Sequence, residues 1–407
     1  MSQLTVQQIF QQHFDRFAAK YTLPSHVVRA ARLLRDCRTS ALGGHANRCP
    51  NGHICDIAYN SCRHRFCSQC NTFAKAKWLD AWRQRLLPTA HHHIVFTVPH
   101  DLNALWLYNK RHFTKLLFTA VGHSVLELLA DPQFVGARPG VLAALHTWNQ
   151  KLQTHIHVHA AVTAGGLSAS GKWLGAKRAC LLPRQVLMIK FRGKLRAFLL
   201  THLDDFKLPR NTSLLYWRNQ LNRLGRTAWN VKLMERYEHA RGVTNYLARY
   251  LRGGPIGQKR LLSAADGKIT FRYRLAADHG QKAAHGTLSL QADQFLSRVL
   301  RHVPPPGMRT VRGYGLYSGN RYSRLGQAHV ELGSPAPPSP MPPLSLESFY
   351  QTVGIEYDSC CPECGKPMER MELSPSTVSQ LKLTQASRAR SPPAKVDWQP
   401  FFHPSIA

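Results

Sequence analysis

Apolar residues recur at helical intervals over the first 35 residues, with Phe10, Phe14 and Phe17 followed by Val27, Val28, Leu33 and Leu34. This stretch is expected to be helical. The periodicity lapses over residues 37–70, which are rich in Cys and His, and helical spacing resumes over 71–87. Residues 91–99 read as a strand, and 102–129 as one long helix or a helical pair. Two further strands, 141–148 and 155–162, are separated by the polar turn 149–154. Helices are expected over 183–203, 211–229 and 235–251. Alternation returns in Ile269-Thr270-Phe271-Arg272-Tyr273-Arg274 and over 287–290, indicating late strands. The proline-rich stretch 334–343 reads as a linker. Beyond it lie a short Cys-bearing segment and a tail, from about Ser374, expected to be disordered. There is no internal repeat.

Charge narrows the class. Lys and Arg number 54 against 22 Asp and Glu, a formal charge of +32 on 407 residues. Such an excess opposes compaction unless a polyanion neutralises it, and nucleic acid does so with release of counterions. No window approaches eighteen consecutive apolar residues, and the first residues lack the basic-then-apolar layout of a signal peptide. The expectation is a soluble, cytoplasmic, nucleoid-associated protein with no membrane partner and no small-molecule substrate. Of the 10 cysteines, all but Cys180 cluster in two parts of the chain, 37–70 and 360–364, which in a reducing compartment points to metal binding rather than disulfides.

The most informative pattern is His155-Ile156-His157-Val158-His159. Its period of two puts all three imidazoles on one strand face. Two imidazoles separated by one residue reach one divalent ion, whereas a row of His is an expensive way to build a core. His157 and His159 are the primary candidates. His146, on the strand expected to pair with this one, is the preferred third ligand. His155 lies one pleat further out, and His93 is the next candidate. Imidazoles without thiolates suit Mn²⁺ better than Mg²⁺, although a scissile phosphate supplies oxygen ligands of its own.

Tyr246 and Tyr250 stand at i and i+4 of an expected helix, on one face. A phenol with a pKa near 10 is a poor nucleophile, but it becomes useful when a metal polarises the phosphate and the tyrosine is held in line. Attack on a phosphodiester stores the bond energy in a protein–DNA ester and needs neither water nor ATP.

These segments resemble the HUH endonucleases, and more narrowly the two-tyrosine rolling-circle transposases of IS-91-like insertion sequences. The resemblance covers most of residues 30–325. It is carried by Asn60-Ser61-Cys62-Arg63-His64-Arg65, Cys67-Ser68-Gln69-Cys70, Val95-Phe96-Thr97-Val98-Pro99 and His146-Thr147-Trp148. It continues with the His strand and Gly165-Gly166, Tyr246-Leu247-Ala248-Arg249-Tyr250 and Gly313-Tyr314-Gly315-Leu316-Tyr317. It implies an α+β fold in which an HUH-type antiparallel sheet carries the His strand at its centre, with helices packed on it and the tyrosine helix laid over it. It also implies single-strand cleavage giving a 5′-phosphotyrosine and a free 3′-hydroxyl.

The expected division is a helical and zinc-binding domain over 1–88 (Cys/His block at about 37–70) and an HUH nuclease domain over 89–330. A linker over 331–345, a small Cys module over 346–372 and a disordered tail over 373–407 follow. Cys67 and Cys70 form half of a structural Zn²⁺ site, with Cys49 and His53 as the other half and Cys55 as the alternative to His53, while Cys37, His45, Cys62 and His64 are enough for a second ion. Cys361 and Cys364 are half a site, to which Cys360 could add a third ligand, with no fourth evident nearby. For DNA contacts the candidates are Arg63, Arg65, Arg249, Trp217 and Arg218, the last two within an aromatic and basic stretch suited to unpaired bases. The partners implied are single-stranded DNA and the terminal hairpin or duplex of a mobile element. Two other functions fit: a plasmid replication initiator or relaxase with the same chemistry, and a non-catalytic zinc-containing DNA-binding regulator.

Overall fold

In the computed structural model, the described residues are 4–177, 181–238, 242, 254–275, 284–319, 322–337, 342–354 and 360–380. Thr5 opens helix α1 (Val6–Lys20) with a capping box to Gln8, so two orphan donors of the first turn are satisfied reciprocally. Helix α2 (Ser25–Asp36) follows, and the two bury Ile9, Phe10, Phe14, Ala30, Ala31 and Leu34 against each other. The Cys/His block contains a hairpin of β1 (Gly44–Arg48) and β2 (Ile54–Tyr59), then α3 (Thr72–Arg83).

Next come β3 (His91–Thr97), α4 (Asn103–Tyr108), α5 (Lys110–Ala130), β4 (Gly140–Trp148) and β5 (Thr154–Thr163). A small hairpin, β6 (Gly165–Leu167) and β7 (Trp173–Gly175), precedes α6 (Arg184–Thr201), α7 (Leu214–Leu224) and β8 (Val231–Tyr237). Strands β9 (Leu261–Ala265), β10 (Lys268–Arg274) and β11 (His285–Gln291) form an antiparallel sheet of their own, followed by α8 (Ala292–Leu300). Then come β12 (Val311–Gly315) and α9 (Tyr322–Glu331). The chain continues through α10 (Leu346–Thr352), β13 (Glu369–Leu373) and α11 (Pro375–Gln380).

Among the described residues the main sheet has five antiparallel strands in the order β12–β4–β5–β3–β8, with the His strand β5 at its centre. Alternation sorts the two faces. Ile94, Phe96, Val141, Ala143, Leu145, Ile156, Val158 and Ala160 point into a core closed by α5, α6 and α7. The opposite face carries the histidines, continued by Leu142, Ala144 and Ala161 under Trp82, Leu316 and Tyr317. Helix α5 is long and apolar enough to cross a membrane by length and composition, yet 67% of that window is buried in the protein. It is the central helix of the larger core.

Two arrangements differ from the expected division. The amino-terminal helices share one core with Ile256, Leu261, Ile269, Phe271, Phe295 and Leu296, so α1, α2 and the late strands are packed as a unit. Lys20 and Arg16 reach Asp293 of α8 across it, at 3.1 and 3.8 Å. The carboxy-terminal Cys segment is likewise not separate. Strand β13 pairs antiparallel with β1, making a three-stranded sheet β13–β1–β2. Residues 375–380, expected within a disordered tail, form α11 and bury Val378. Helix α10 places Phe349 and Tyr350 against Ala76 and Phe73 of α3.

Candidate active site

The register of β4 and β5 sets His146 directly opposite His157, with His159 two residues along the same face. One nitrogen from each of His146, His157 and His159 lies within 4.8 Å of the others. His146 and His159 are 3% and 4% exposed, while His157 is half-buried at the open side. Burial, reinforced by the neighbouring imidazoles, holds His146 and His159 well below the usual imidazole value. Burial likewise brings His157 down to about 4. All three are therefore neutral at pH 7, the form in which an imidazole is a ligand.

The surroundings also fix the rings. His157 Nδ1 donates to the His155 carbonyl at 2.8 Å, which leaves Nε2 with the lone pair. His93 Nε2 lies 2.8 Å from His159 Nδ1. With Nδ1 of His159 as the donor in that bond, its Nε2 is the ligand atom. Strand β3 aligns Val95 with His159, so His93 is the diagonal neighbour on the same face, a position legible only once the β3–β5 pairing is known. His93 thus supports the cluster from behind. His155 stands outside the three-nitrogen group, its ring 4.8 Å from that of His157 and 5.5 Å from that of His100. As a donor set, three neutral imidazoles on a rigid sheet fit a divalent ion with coordination positions left for phosphate oxygens.

A second cluster consists of Cys37, Cys62, Cys67 and Cys70, with their sulfurs mutually within 4.8 Å. The Cys37–Cys67 and Cys62–Cys70 separations are both 3.6 Å. Four sulfurs at about 2.3 Å from a tetrahedral zinc stand about 3.8 Å apart, so the spacing matches. Backbone N–H groups of Cys62 and Gln69 point at the Cys37 and Cys67 sulfurs at 3.5 and 3.4 Å. Buried Asn71 donates to the His64 and Arg65 carbonyls and pins the loop at the start of α3.

The zinc set expected from spacing is corrected here. Cys49 and His53 do not join Cys67 and Cys70; they meet Cys361 and Cys364. The reason is the β1–β2 hairpin. Cys49 and His53 sit at its tip, while Cys37 precedes it and Cys62 follows it at the base. A five-residue strand separates tip from base by about 15 Å.

Comparison with known proteins decides the family. The family described as "Transposase zinc-binding domain" matches residues 9–98, and that described as "Putative transposase" matches 140–324. The chain is 34% identical over 371 residues to a putative transposase of Sinorhizobium fredii, covering 88% of this chain and 92% of that one. It is 30% identical over 362 residues to the transposase for insertion sequence element IS801 of Pseudomonas savastanoi pv. phaseolicola, covering 87% and 86%. The chain belongs to the IS-91-like transposase family. The partner of such a protein is DNA, and its matched zinc-binding domain together with the four-cysteine cluster supports a structural zinc.

Of the transposase's remaining candidates, Tyr246, Arg249 and Tyr250 lie outside the described residues. The strand leading to them ends at Tyr237, whose ring is 6.2 Å from that of His93. Arg63 is exposed. Arg65 instead reaches across to the Met308 carbonyl and to Thr310 Oγ1, tying the zinc loop to the segment before β12. Trp217 is a correction: it is 2% exposed, its indole N–H donating to Thr212 Oγ1 at 3.0 Å, so it is a core residue rather than a stacking platform. Arg218 is on the surface beside Asp204 at 3.4 Å.

Proposed function

We propose that this transposase nicks and rejoins single-stranded DNA at the ends of a mobile element through a 5′-phosphotyrosine intermediate. The observation that carries the proposal is the convergence of the neutral imidazoles of His146, His157 and His159 at the centre of the sheet. A divalent ion held there, Mn²⁺ or Mg²⁺, supplies Lewis-acid polarisation of the scissile phosphate. Tyr246 or Tyr250 attacks phosphorus through its phenolic oxygen, the bond to the 3′-oxygen breaks, and that oxygen leaves as a free 3′-hydroxyl after taking up a proton. Rejoining is the reverse attack by a 3′-hydroxyl on the phosphotyrosine. The second tyrosine serves a second strand, so the two ester bonds exchange without a net change in bond number. His93 keeps His159 in its ligand tautomer, and the basic surface holds the strand.

The test is to incubate the chain with Mn²⁺ and a single-stranded element-end oligonucleotide, then sequence the DNA-linked peptide by mass spectrometry. The nucleotide is expected on Tyr246 or Tyr250, with adduct lost from the variant carrying both Tyr→Phe changes. Undiminished adduct in that double variant removes this pair as nucleophiles. No adduct from the wild-type chain under any divalent ion returns the protein to a DNA-binding role.

A further inference from the structure

The group formed by Cys49, His53, Cys361 and Cys364 has its second half far outside the zinc-binding region matched at residues 9–98. We propose that it is a second zinc site, with three thiolates and one imidazole, and that it clasps the carboxy-terminal segment 360–380 onto the amino-terminal module. Cys364 Sγ is 3.7 Å from Cys49 Sγ, and Cys361 Sγ is 3.6 Å from His53 Nδ1. Sulfurs so far apart are not bonded to each other. The separations match about 3.8 Å for sulfur–sulfur and about 3.5 Å for sulfur–nitrogen edges of a tetrahedral zinc site.

The two halves are built alike. Each begins Cys-Pro and closes as a tight turn. In the first, Cys49 N–H donates to the His53 carbonyl at 3.1 Å and Gly52 N–H to the Cys49 carbonyl at 2.9 Å. In the second, Cys361 N–H donates to the Lys366 carbonyl and Gly365 N–H to the Cys361 carbonyl, both at 2.8 Å. Gly52 and Gly365 take φ of 88° and 68°, which only glycine adopts without cost. The imidazole has an orienting partner as well. His53 Nε2 faces Glu363 at 3.4 Å, leaving Nδ1 for the ion, in the manner of a carboxylate–histidine–zinc arrangement. Lys366 Nζ donates to Asn51 Oδ1 at 2.8 Å and joins the turns outside the donor set.

The consequence is mechanical. The pairing of β13 with β1 is short and at a sheet edge, and α11 adds one buried valine. A shared ion converts this edge contact into a closed unit, so the β1–β2 hairpin and segment 360–380 are joined through one ion. Cys361→Ser together with Cys364→Ser is expected to lower zinc content by one ion per chain relative to wild type, with the four-cysteine ion retained. In the unmodified wild-type protein, Cys361 and Cys364 are expected to resist alkylation until a chelator is added, with the segment 360–380 then becoming open to protease. The alkylation result does not depend on whether the variant folds. Unchanged zinc content in a folded variant, or equal labelling of Cys361 and Cys364 with and without chelator, overturns the proposal.

Discussion

The histidine cluster is assembled within one hairpin of the sheet, from β4 and β5, whereas each cysteine cluster gathers donors from segments that no local period relates. His146 and His157 face each other because backbone pairing puts them in register, so the site exists as soon as the hairpin does. Cys37, Cys62, Cys67 and Cys70 depend on how a hairpin, a loop and a helix end come together, and Cys67 also packs in the core under α1 and α2. The difference teaches that donors placed by one hairpin register should be replaceable without dismantling their scaffold, whereas donors gathered from separate segments should be part of what holds those segments together.

Substitutions should separate the two regions. The largest effect is expected from Cys62→Ser. Structural zinc contributes on the order of 10–16 kcal/mol of apparent binding energy in small modules. Losing one thiolate should release the ion and unfold the amino-terminal module, seen as loss of zinc and an early thermal transition. If that variant melts as the wild type does, the cysteine cluster is not holding the module. Next comes His159→Ala, expected to cut DNA cleavage on the order of 10³-fold by removing phosphate polarisation. Its zinc content and sheet should be intact, and a collapse of the fold instead would show that the histidine cluster also holds its scaffold together. His93→Ala acts through His159 and should cost roughly 10–100-fold in metal affinity or activity. Partial recovery at high Mn²⁺ is expected, and no recovery would argue for a direct role.

Smaller effects follow from pH. His91 donates from Nδ1 to the Thr89 carbonyl and accepts the Tyr317 hydroxyl at Nε2, at 2.9 and 2.7 Å. His302 donates to the Leu152 carbonyl and accepts from Thr147. Burial pushes both down to about 4 from 6.5. Between those values the unfolded chain binds more protons, so stability is fully present above about pH 6.5 and is lost as pH falls toward 4. Denaturant titrations at pH 7 and pH 5 should show the drop, and equal midpoints would contradict it. Least of all, Arg218→Ala should leave stability unchanged, since its exposed pair with Asp204 is worth about 0–1 kcal/mol. It should lower the salt slope of single-strand binding by about 0.7; an unchanged slope removes Arg218 from the DNA surface.

Legibility in the sequence follows the same division. The alternation at 155–159 and the turn at 149–154 are local signals, so the His strand, its partner and the face they share are readable from period alone. The helices of the larger core are readable for the same reason. Cys spacing near 49–70 points to a metal site, yet a hairpin tip and base are indistinguishable until β1 and β2 are known to pair. The completion of Cys361 and Cys364 lies some 300 positions away, beyond any window. The basic neighbours of Trp217 suggest a surface helix, whereas α7 buries that position along with Leu221 and Leu224.

The decisive measurement pairs the wild-type chain with a His157→Ala, His159→Ala variant matched for zinc content. Each is incubated with a single-stranded element-end oligonucleotide and Mn²⁺, with and without chelator, and resolved on a denaturing gel. A covalent adduct is expected from the wild type with Mn²⁺ alone, and from neither the chelated sample nor the variant. An adduct of equal yield in the variant would show that the histidine cluster is not where the phosphate is cleaved.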